Sequence, residues 1–253
     1  MAEHDLYQDP SLYDLEYAHQ DDDVVYYVEQ ALAGNGPVLE LGCGNGRITL
    51  PLARAGVHVH GVDRAPGMLA DLARKVRAED PEVARRIRWS EGDFTALEVR
   101  GVYDRIFLPF NAIHHCRSHR DVLALLDGVR TRLRPKGRFL LDLYLPDPSL
   151  YARDPNVRYE PRDFIDPSTG GPLRSWESGW YDPMTQTHHV RYIYRDHTGH
   201  ERTVALDLRM FYPQELRALL DWGGFDIVRE AEDFSGKVLG GTSLKWVLEL
   251  APR

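Results

Sequence analysis

Residues 38–53 read VLELGCGNGRITLPLA, and their reading decides the fold. A short apolar strand, PVLELG, runs into glycines at 42, 44 and 46. The stretch RITLPLARAG then repeats its apolar residues at helical spacing and is closed by Gly56. Pro51 falls inside that helical pattern and predicts either a kink or an early start. A glycine-rich turn between a strand and a helix brings backbone close to a ligand, which raises the question of which ligand.

Outward from this turn the rhythm repeats. VHVHGVD (57–63) reads as a strand, followed by a helix from Pro66 to Arg77. IRWSEGD (87–93) and YDRIFLPF (103–110) read as a third and a fourth strand. Ser118 and Asp121 predict a capping box before the helix VLALLDGVRTRLR, and RFLLDLYL (138–145) is a fifth strand. Upstream, Asp21, Asp22 and Asp23 suit the first turn of a helix running from Asp22 to Ala33, where they meet the positive end of the dipole. Strands alternating with helices predict an α/β fold with a doubly wound, mostly parallel, Rossmann-like sheet.

After Tyr144 the rhythm breaks. Prolines at 146, 148, 155, 161, 167 and 172 give residues 146–175 a loop composition. HHVRYIYRD and ERTVALDLRMFY then read as antiparallel strands about a turn at Thr198-Gly199. A helix starting at Pro213 and two strand-like segments, FDIVREAEDF and SLKWVLEL, complete the chain. Residues 1–145 with 213–253 are expected to form the sheet domain, and 146–212 a β-rich antiparallel insertion after its fifth strand.

The 253 residues are 43% hydrophobic and 28% charged, enough for a full core. A net charge of −8 gives no global attraction to nucleic acid or an anionic membrane, and neither is expected as a partner. The opening MAEHDLYQDP lacks the basic and apolar regions of a secretory signal, and no apolar run reaches membrane-spanning length. Cys43 and Cys116 stand far apart without metal-type spacing, so a reduced, cytoplasmic protein is expected, as a monomer or a homodimer.

The turn itself narrows the ligand. A P-loop needs Lys-Ser/Thr after its last glycine, but Arg47-Ile48 follow Gly46. A dinucleotide fingerprint needs a third glycine where Arg47 stands, and Glu40 just before the first glycine would face a pyrophosphate badly. Asp63, closing the second strand, can accept bonds from ribose hydroxyls. The ligand therefore carries ribose and positive charge and needs no phosphate cradle.

With these motifs in this order, the sequence resembles the class I S-adenosylmethionine-dependent methyltransferases over roughly residues 10–145 and, more weakly, 205–250. VLELGCGNGRITLPLA is similar to their first motif, VDRAPGML (62–69) to the ribose segment, EGDFTAL (91–97) to the adenine-side motif, and LRPKGRFLLDLY to their Leu-x-Pro-Gly-Gly junction with Lys136 in place of the first glycine. The resemblance implies S-adenosylmethionine as cofactor, with S-adenosylhomocysteine as product. It implies cofactor contacts from Tyr17, Glu40, Gly42, Cys43, Gly44, Asn45, Gly46, Asp63, Arg64, Gly92, Asp93, Phe94, Leu108 and Phe110. Of these, Cys43 is expected to turn its backbone N–H to the ligand and Asp93 to bond the adenine amine. Met68 either lines the adenine pocket or fills the core.

LPFNAIHHC (108–116) follows the fourth strand, where an open parallel sheet places its ligand. It resembles a loop of small-molecule N-methyltransferases acting on amino sugars, whose catalytic histidine falls at His115. His114 is the other candidate, and a histidine's ordinary pKa of about 6.5 suits a base working near neutrality. LYDLEYAHQDDD (12–23) is similar to a segment folding over the donor in that family, with Tyr13 reaching donor and acceptor. Asn111, Tyr144, Trp180 and Arg191 are the candidate acceptor contacts, with Arg209 an alternative to Arg191. His188 and His189 alternate faces on a strand and are not read as a metal site. The expected function is methyl transfer to a nitrogen or oxygen of a small-molecule acceptor, the insertion forming the acceptor cap. A protein side chain as acceptor and a non-catalytic, donor-binding interaction protein are the alternatives.

Overall fold

The computed structural model describes residues 4–17 and 19–253, the side chains of His4 and Asp5 excepted. The chain forms two compact units, Gln20–Leu145 with Phe211–Arg253, and the described part of Met1–His19 with Pro146–Met210. The N-terminal segment thus groups with the insertion, whereas the sequence had placed it with the sheet domain. No helix among the described residues is long and apolar enough to cross a membrane.

The larger unit holds a seven-stranded sheet in the order Phe225–Ala231, Lys245–Pro252, Leu133–Tyr144, Tyr103–Leu108, Val38–Leu41, Val59–Asp63, Ile87–Glu91. The last five strands of that order run parallel, and Lys245–Pro252 is antiparallel to both neighbours. The chain enters at Val38–Leu41 in the middle, winds outward to Ile87–Glu91, then returns to build the other side from Tyr103–Leu108. The winding reverses between these two adjacent strands, and a doubly wound sheet opens a crevice at the carboxyl ends of its strands at such a point.

Alternation along the strands loads both faces. Leu39, Leu41, Ile106, Leu108, Phe139 and Leu141 pack with Leu125, Leu126, Leu216 and Leu219 from the helices His119–Arg132 and Pro213–Trp222. Val38, Phe107 and Leu140 face the opposite way, onto Tyr27, Ile48 and Leu52 from the helices Asp22–Leu32 and Thr49–Arg54 and the turn before the latter. Pro51 sits in the first turn of Thr49–Arg54, where an N–H has no helical partner to lose, so the proline marks an early start. The Ser118/Asp121 capping box forms as expected.

The smaller unit is a five-stranded sheet in the order His4–Asp5, Glu201–Arg209, Thr187–Asp196, Pro172–Asp182, Tyr159–Ile165. Its pairings are antiparallel except for the short parallel one between His4–Asp5 and Glu201–Arg209. The loop expected over 146–175 is corrected: this stretch holds a short helix, Pro148–Tyr151, the strand Tyr159–Ile165 and the start of another at Pro172. Pro161 lies in an edge strand whose register shifts between Tyr159 and Arg162, and Glu160 there has φ +51°; Pro172 opens its strand. Both are places where a strand tolerates a residue without an N–H.

Candidate active site

At the carboxyl end of Val38–Leu41 the chain turns through Gly42, Gly44 and Gly46, with φ of +72°, +54° and +93°. L side chains are strained in that region. A Cβ on Gly42 would have only Ala112 Cβ, at 3.5 Å, within reach, and one on Gly44 only Met68 Cε, at 3.2 Å. The turn therefore bares its backbone at 42 and 44, whereas Gly46 is packed, its Cβ position lying 2.6 Å from Leu72 Cδ1. Met68 is buried and packs on the underside of the turn, and Asn45, also buried, donates its amide to Asp71 Oδ2 at 3.2 Å.

The expectation for Cys43 is corrected. Its N–H donates to Val62 O at 3.1 Å, as Gly42 N does at 2.7 Å, so that donor is spent inside the fold. The Cys43 side chain is buried over Gly61, where a Cβ would lie 2.7 Å from its sulfur. Gly44 N donates to Asp63 Oδ2 at 2.7 Å and Ala65 N to Asp63 Oδ1 at 2.8 Å. One strand end thereby shapes the next, and each Asp63 oxygen keeps further acceptor capacity. Burial raises the Asp63 pKa, and the backbone N–H groups oppose that rise.

Glu40, 1% exposed, accepts from Thr49 Oγ1 at 2.5 Å. Burial raises its pKa to about 8; the Thr49 bond and Arg47 lower it, and Asp63 and Asp23 push it up. Arg47 is held by the buried Asp23 through both guanidinium nitrogens, at 2.8 and 2.5 Å, and by Gln20 O at 3.0 Å. Sequence reasoning had treated Asp23 only as a dipole partner and Arg47 only as an absent glycine.

Leu108 is buried at the end of the fourth strand. The two residues after Pro109 then turn left-handed, Phe110 at φ +57° and Asn111 at φ +63°. Asparagine tolerates that region and phenylalanine does not, at a cost of roughly 1–3 kcal/mol. Two contacts hold Phe110 there. Its N–H donates to Asp142 Oδ1 at 2.8 Å, and the Arg47 guanidinium lies 4.2 Å over its ring. Asp142, buried in the strand Leu133–Tyr144, also accepts from Tyr27 OH at 2.8 Å. A lone acid within the apolar run RFLLDLYL was the available signal for this anchor, and it was missed. Tyr144 ends the strand Leu133–Tyr144 and is 41% exposed.

The histidine pair divides. His114 is fully buried with its ring stacked on Phe211, 6.1 Å between centroids, which makes it a core residue. His115 closes the 3-10 turn Ala112–His115. Burial first, then the charges of Arg64, Arg117 and His114, lower its pKa to about 3. That corrects the expectation of a base titrating near neutrality, because the ring is neutral at any physiological pH. Gly92 N donates to Asp63 O at 3.0 Å. Asp93 uses Oδ1 to cap the turn Phe94–Ala96, accepting from Thr95 N and Oγ1 at 2.8 and 2.7 Å, and Phe94 packs against the core beside it.

Four candidates belong to the smaller unit. Tyr13 is buried with its ring edge-on to Tyr17, 4.9 Å between centroids, and the Tyr17 and Tyr192 hydroxyls interact. Trp180 stacks on His189 at 4.6 Å with the Arg191 guanidinium 4.9 Å from its ring. Arg191 is ion-paired to Asp207 at 2.9 Å, so its charge is already met within the unit.

In the larger unit the groups at the turn fit S-adenosylmethionine. Two acids, Glu40 and Asp63, stand at a bared backbone; Arg47 beside Glu40 is matched by Asp23, and the Arg64 charge acts on Asp63. A phosphate would meet carboxyl groups there, whereas a cation bearing a ribose meets acceptors. Residues 38–137 match the family described as a methyltransferase domain. The chain is 23% identical to YqeM of Bacillus subtilis over 89% of this chain and 88% of that protein. Its fold is similar to that of the CcbJ methyltransferase from Streptomyces caelestis, with a TM-score of 0.77 and 26% identity over 92% of this chain and 89% of that one. It also resembles CalS10 from Micromonospora echinaspora, an amino pentose methyltransferase solved with S-adenosylmethionine bound. There the TM-score is 0.65 and the identity 18%, over 91% and 90% of the two chains.

Proposed function

We propose that this chain is an S-adenosylmethionine-dependent methyltransferase that methylates a nitrogen or oxygen of a small molecule, with an amine the better match. The observation that carries the reading is the pairing of a cation-seeking turn with a neutral, half-buried His115. Bound S-adenosylmethionine supplies a methyl group activated on a sulfonium. In this proposal the bared backbone at Gly42 and Gly44 and the acids Glu40 and Asp63 hold the donor's charge and ribose, and Asp93 offers its second oxygen to the base.

His115, held neutral, accepts a hydrogen bond from the acceptor's N–H or O–H and aims the lone pair at the methyl group. Much of the barrier in such a displacement yields to alignment and exclusion of water. With a pKa near 3 the ring is a poor sink for a full proton, which suits an uncharged amine, whose lone pair is ready, better than a hydroxyl. Likeness to an amino pentose methyltransferase supports the same class. Asn111 and Tyr144 are assigned to acceptor contact.

Calorimetric titration with S-adenosylmethionine and S-adenosylhomocysteine, followed by assay of product release with panels of amino sugars, simple amines, hydroxyl compounds and peptides, tests the reading. Binding of both nucleosides with turnover of small amines supports it. Turnover confined to peptides would overturn the acceptor class, and no binding of either nucleoside would overturn the site.

A further inference from the structure

At the opposite end of the larger unit's sheet, a cleft of about 330 Å³ opens beside the first residues of Val59–Asp63, Ile87–Glu91 and Tyr103–Leu108. These are the amino ends of the parallel strands, away from the glycine turn. Its polar lining comes from His58, His60, Arg85, Arg86, Arg88 and Tyr103, and no aspartate or glutamate lines it.

Arg85 is answered by Glu82. Arg86 and Arg88 are not answered by any carboxylate among the described residues. Among the described residues the Arg86 side chain makes one hydrogen bond, Nη1 to Ala53 O at 3.3 Å, and that of Arg88 one, Nη2 to Tyr103 OH at 2.9 Å. Neither forms an ion pair among the described residues, although a guanidinium carries five N–H donors. The nearby Asp104 is engaged by Arg105 Nη1 at 3.0 Å and Asn35 N at 3.1 Å. Arg86, in the turn before the strand, and Arg88, within the strand Ile87–Glu91, both line the cleft.

Behind them a buried relay fixes the wall. His60 Nδ1 lies 2.7 Å from Tyr103 OH and its Nε2 lies 3.1 Å from Ser90 Oγ. Burial and the Arg88 charge hold the His60 pKa down at about 4, so the positive charge of this wall stays on the arginines. A chain of net charge −8 has acids to spare, yet it leaves two guanidiniums without an ion pair in the lining of one concavity.

We propose that this cleft is a second ligand site, which takes the phosphate group of a small phosphorylated molecule. Planar forks of N–H donors match phosphate oxygens in pairs, and the volume suits a ligand of pyrophosphate to nucleotide size. The site is independent of the donor turn and of the methyl-transfer reading.

Inorganic pyrophosphate is the probe, titrated calorimetrically at low salt with inorganic phosphate and citrate as parallel arms. Pyrophosphate is expected to bind more tightly than citrate and to shift the ring signals of His60 in NMR spectra. Arg88→Gln should weaken it by roughly tenfold or more, the scale of one charge-assisted pair. His58→Glu, at an exposed position with no bond to break, should do the same by placing a carboxylate on the rim. S-adenosylmethionine affinity should be unchanged in both variants, which separates this site from the first. Absence of pyrophosphate binding up to about 10 mM, binding undiminished in both variants, or citrate bound as tightly as pyrophosphate would each overturn the proposal.

Discussion

Replacing Glu40 with glutamine should make the ligand-free protein more stable and the donor complex weaker. The Glu40 carboxyl is buried, and its pKa stands at about 8 against an ordinary 4.5. Between those values the folded state holds a proton that the unfolded chain gives up, so stability falls as pH rises through this window. At about 1.4 kcal/mol per pKa unit the loss is roughly 3 kcal/mol by pH 7 and roughly 5 kcal/mol by pH 9. Glutamine keeps an oxygen for the Thr49 hydroxyl and has nothing to ionise. Urea unfolding at pH 5, 7 and 9 should therefore show a wild-type midpoint that drops with pH by more than that of Glu40→Gln, with the variant ahead at pH 9. Donor binding adds a second signature. With a pKa near 8 the free carboxyl is protonated about nine times in ten at pH 7. A bound cation should expel most of that proton, visible as a dependence of the calorimetric heat on buffer ionisation enthalpy, and Glu40→Gln should lose both this release and roughly tenfold or more in affinity. A wild-type midpoint no more pH-sensitive than the variant's, or a variant less stable at pH 9, would refute the argument.

Asp63→Ala should lower S-adenosylmethionine affinity by roughly 10- to 100-fold, because ribose acceptors and the anchor of Gly44 go together; titration calorimetry reads it. His115→Ala should cut kcat by roughly 100-fold with donor affinity unchanged, and the wild-type rate profile should show no His115 inflection between about pH 5 and 9, since its pKa lies near 3. Asp142→Ala, which strands the buried Tyr27 hydroxyl and Phe110 N–H, should cost roughly 2–4 kcal/mol in urea unfolding, while Asp142→Asn keeps an oxygen for both and should cost about 1 kcal/mol or less.

Much of this was legible in the sequence because its signals are local. The glycine turn, the strand–helix alternation and the Ser118 capping box each depend on residues within a few positions of one another. The strands hidden in 146–175 were not legible, since Pro161 and Pro172 punctuate a sequence in the same way whether they end structure or sit at an edge and a strand start. The anchors were missed for a different reason. Asp23 and Asp142 are ordinary acids until Arg47, Tyr27 and Phe110 arrive from elsewhere in the chain, and a pattern search has no view of such partners. His115 shows the same limit in chemistry: its position was readable, but its protonation state is set first by burial and then by Arg64, both of which depend on the fold, as well as by the sequence neighbours Arg117 and His114.

The strand Lys245–Pro252 lies inside its sheet, between Leu133–Tyr144 and Phe225–Ala231. An interior strand supplied from so far along the chain has a consequence for assembly during synthesis. While the ribosome is still reading the codons beyond 144, the Leu133–Tyr144 edge, with Asp142 and the anchor of Phe110, has no partner on that side. The smaller sheet waits likewise, since His4–Asp5 pairs with Glu201–Arg209. Nascent chains thus carry open strand edges through most of translation, the condition in which long-range β pairing folds slowly and exposes itself to aggregation.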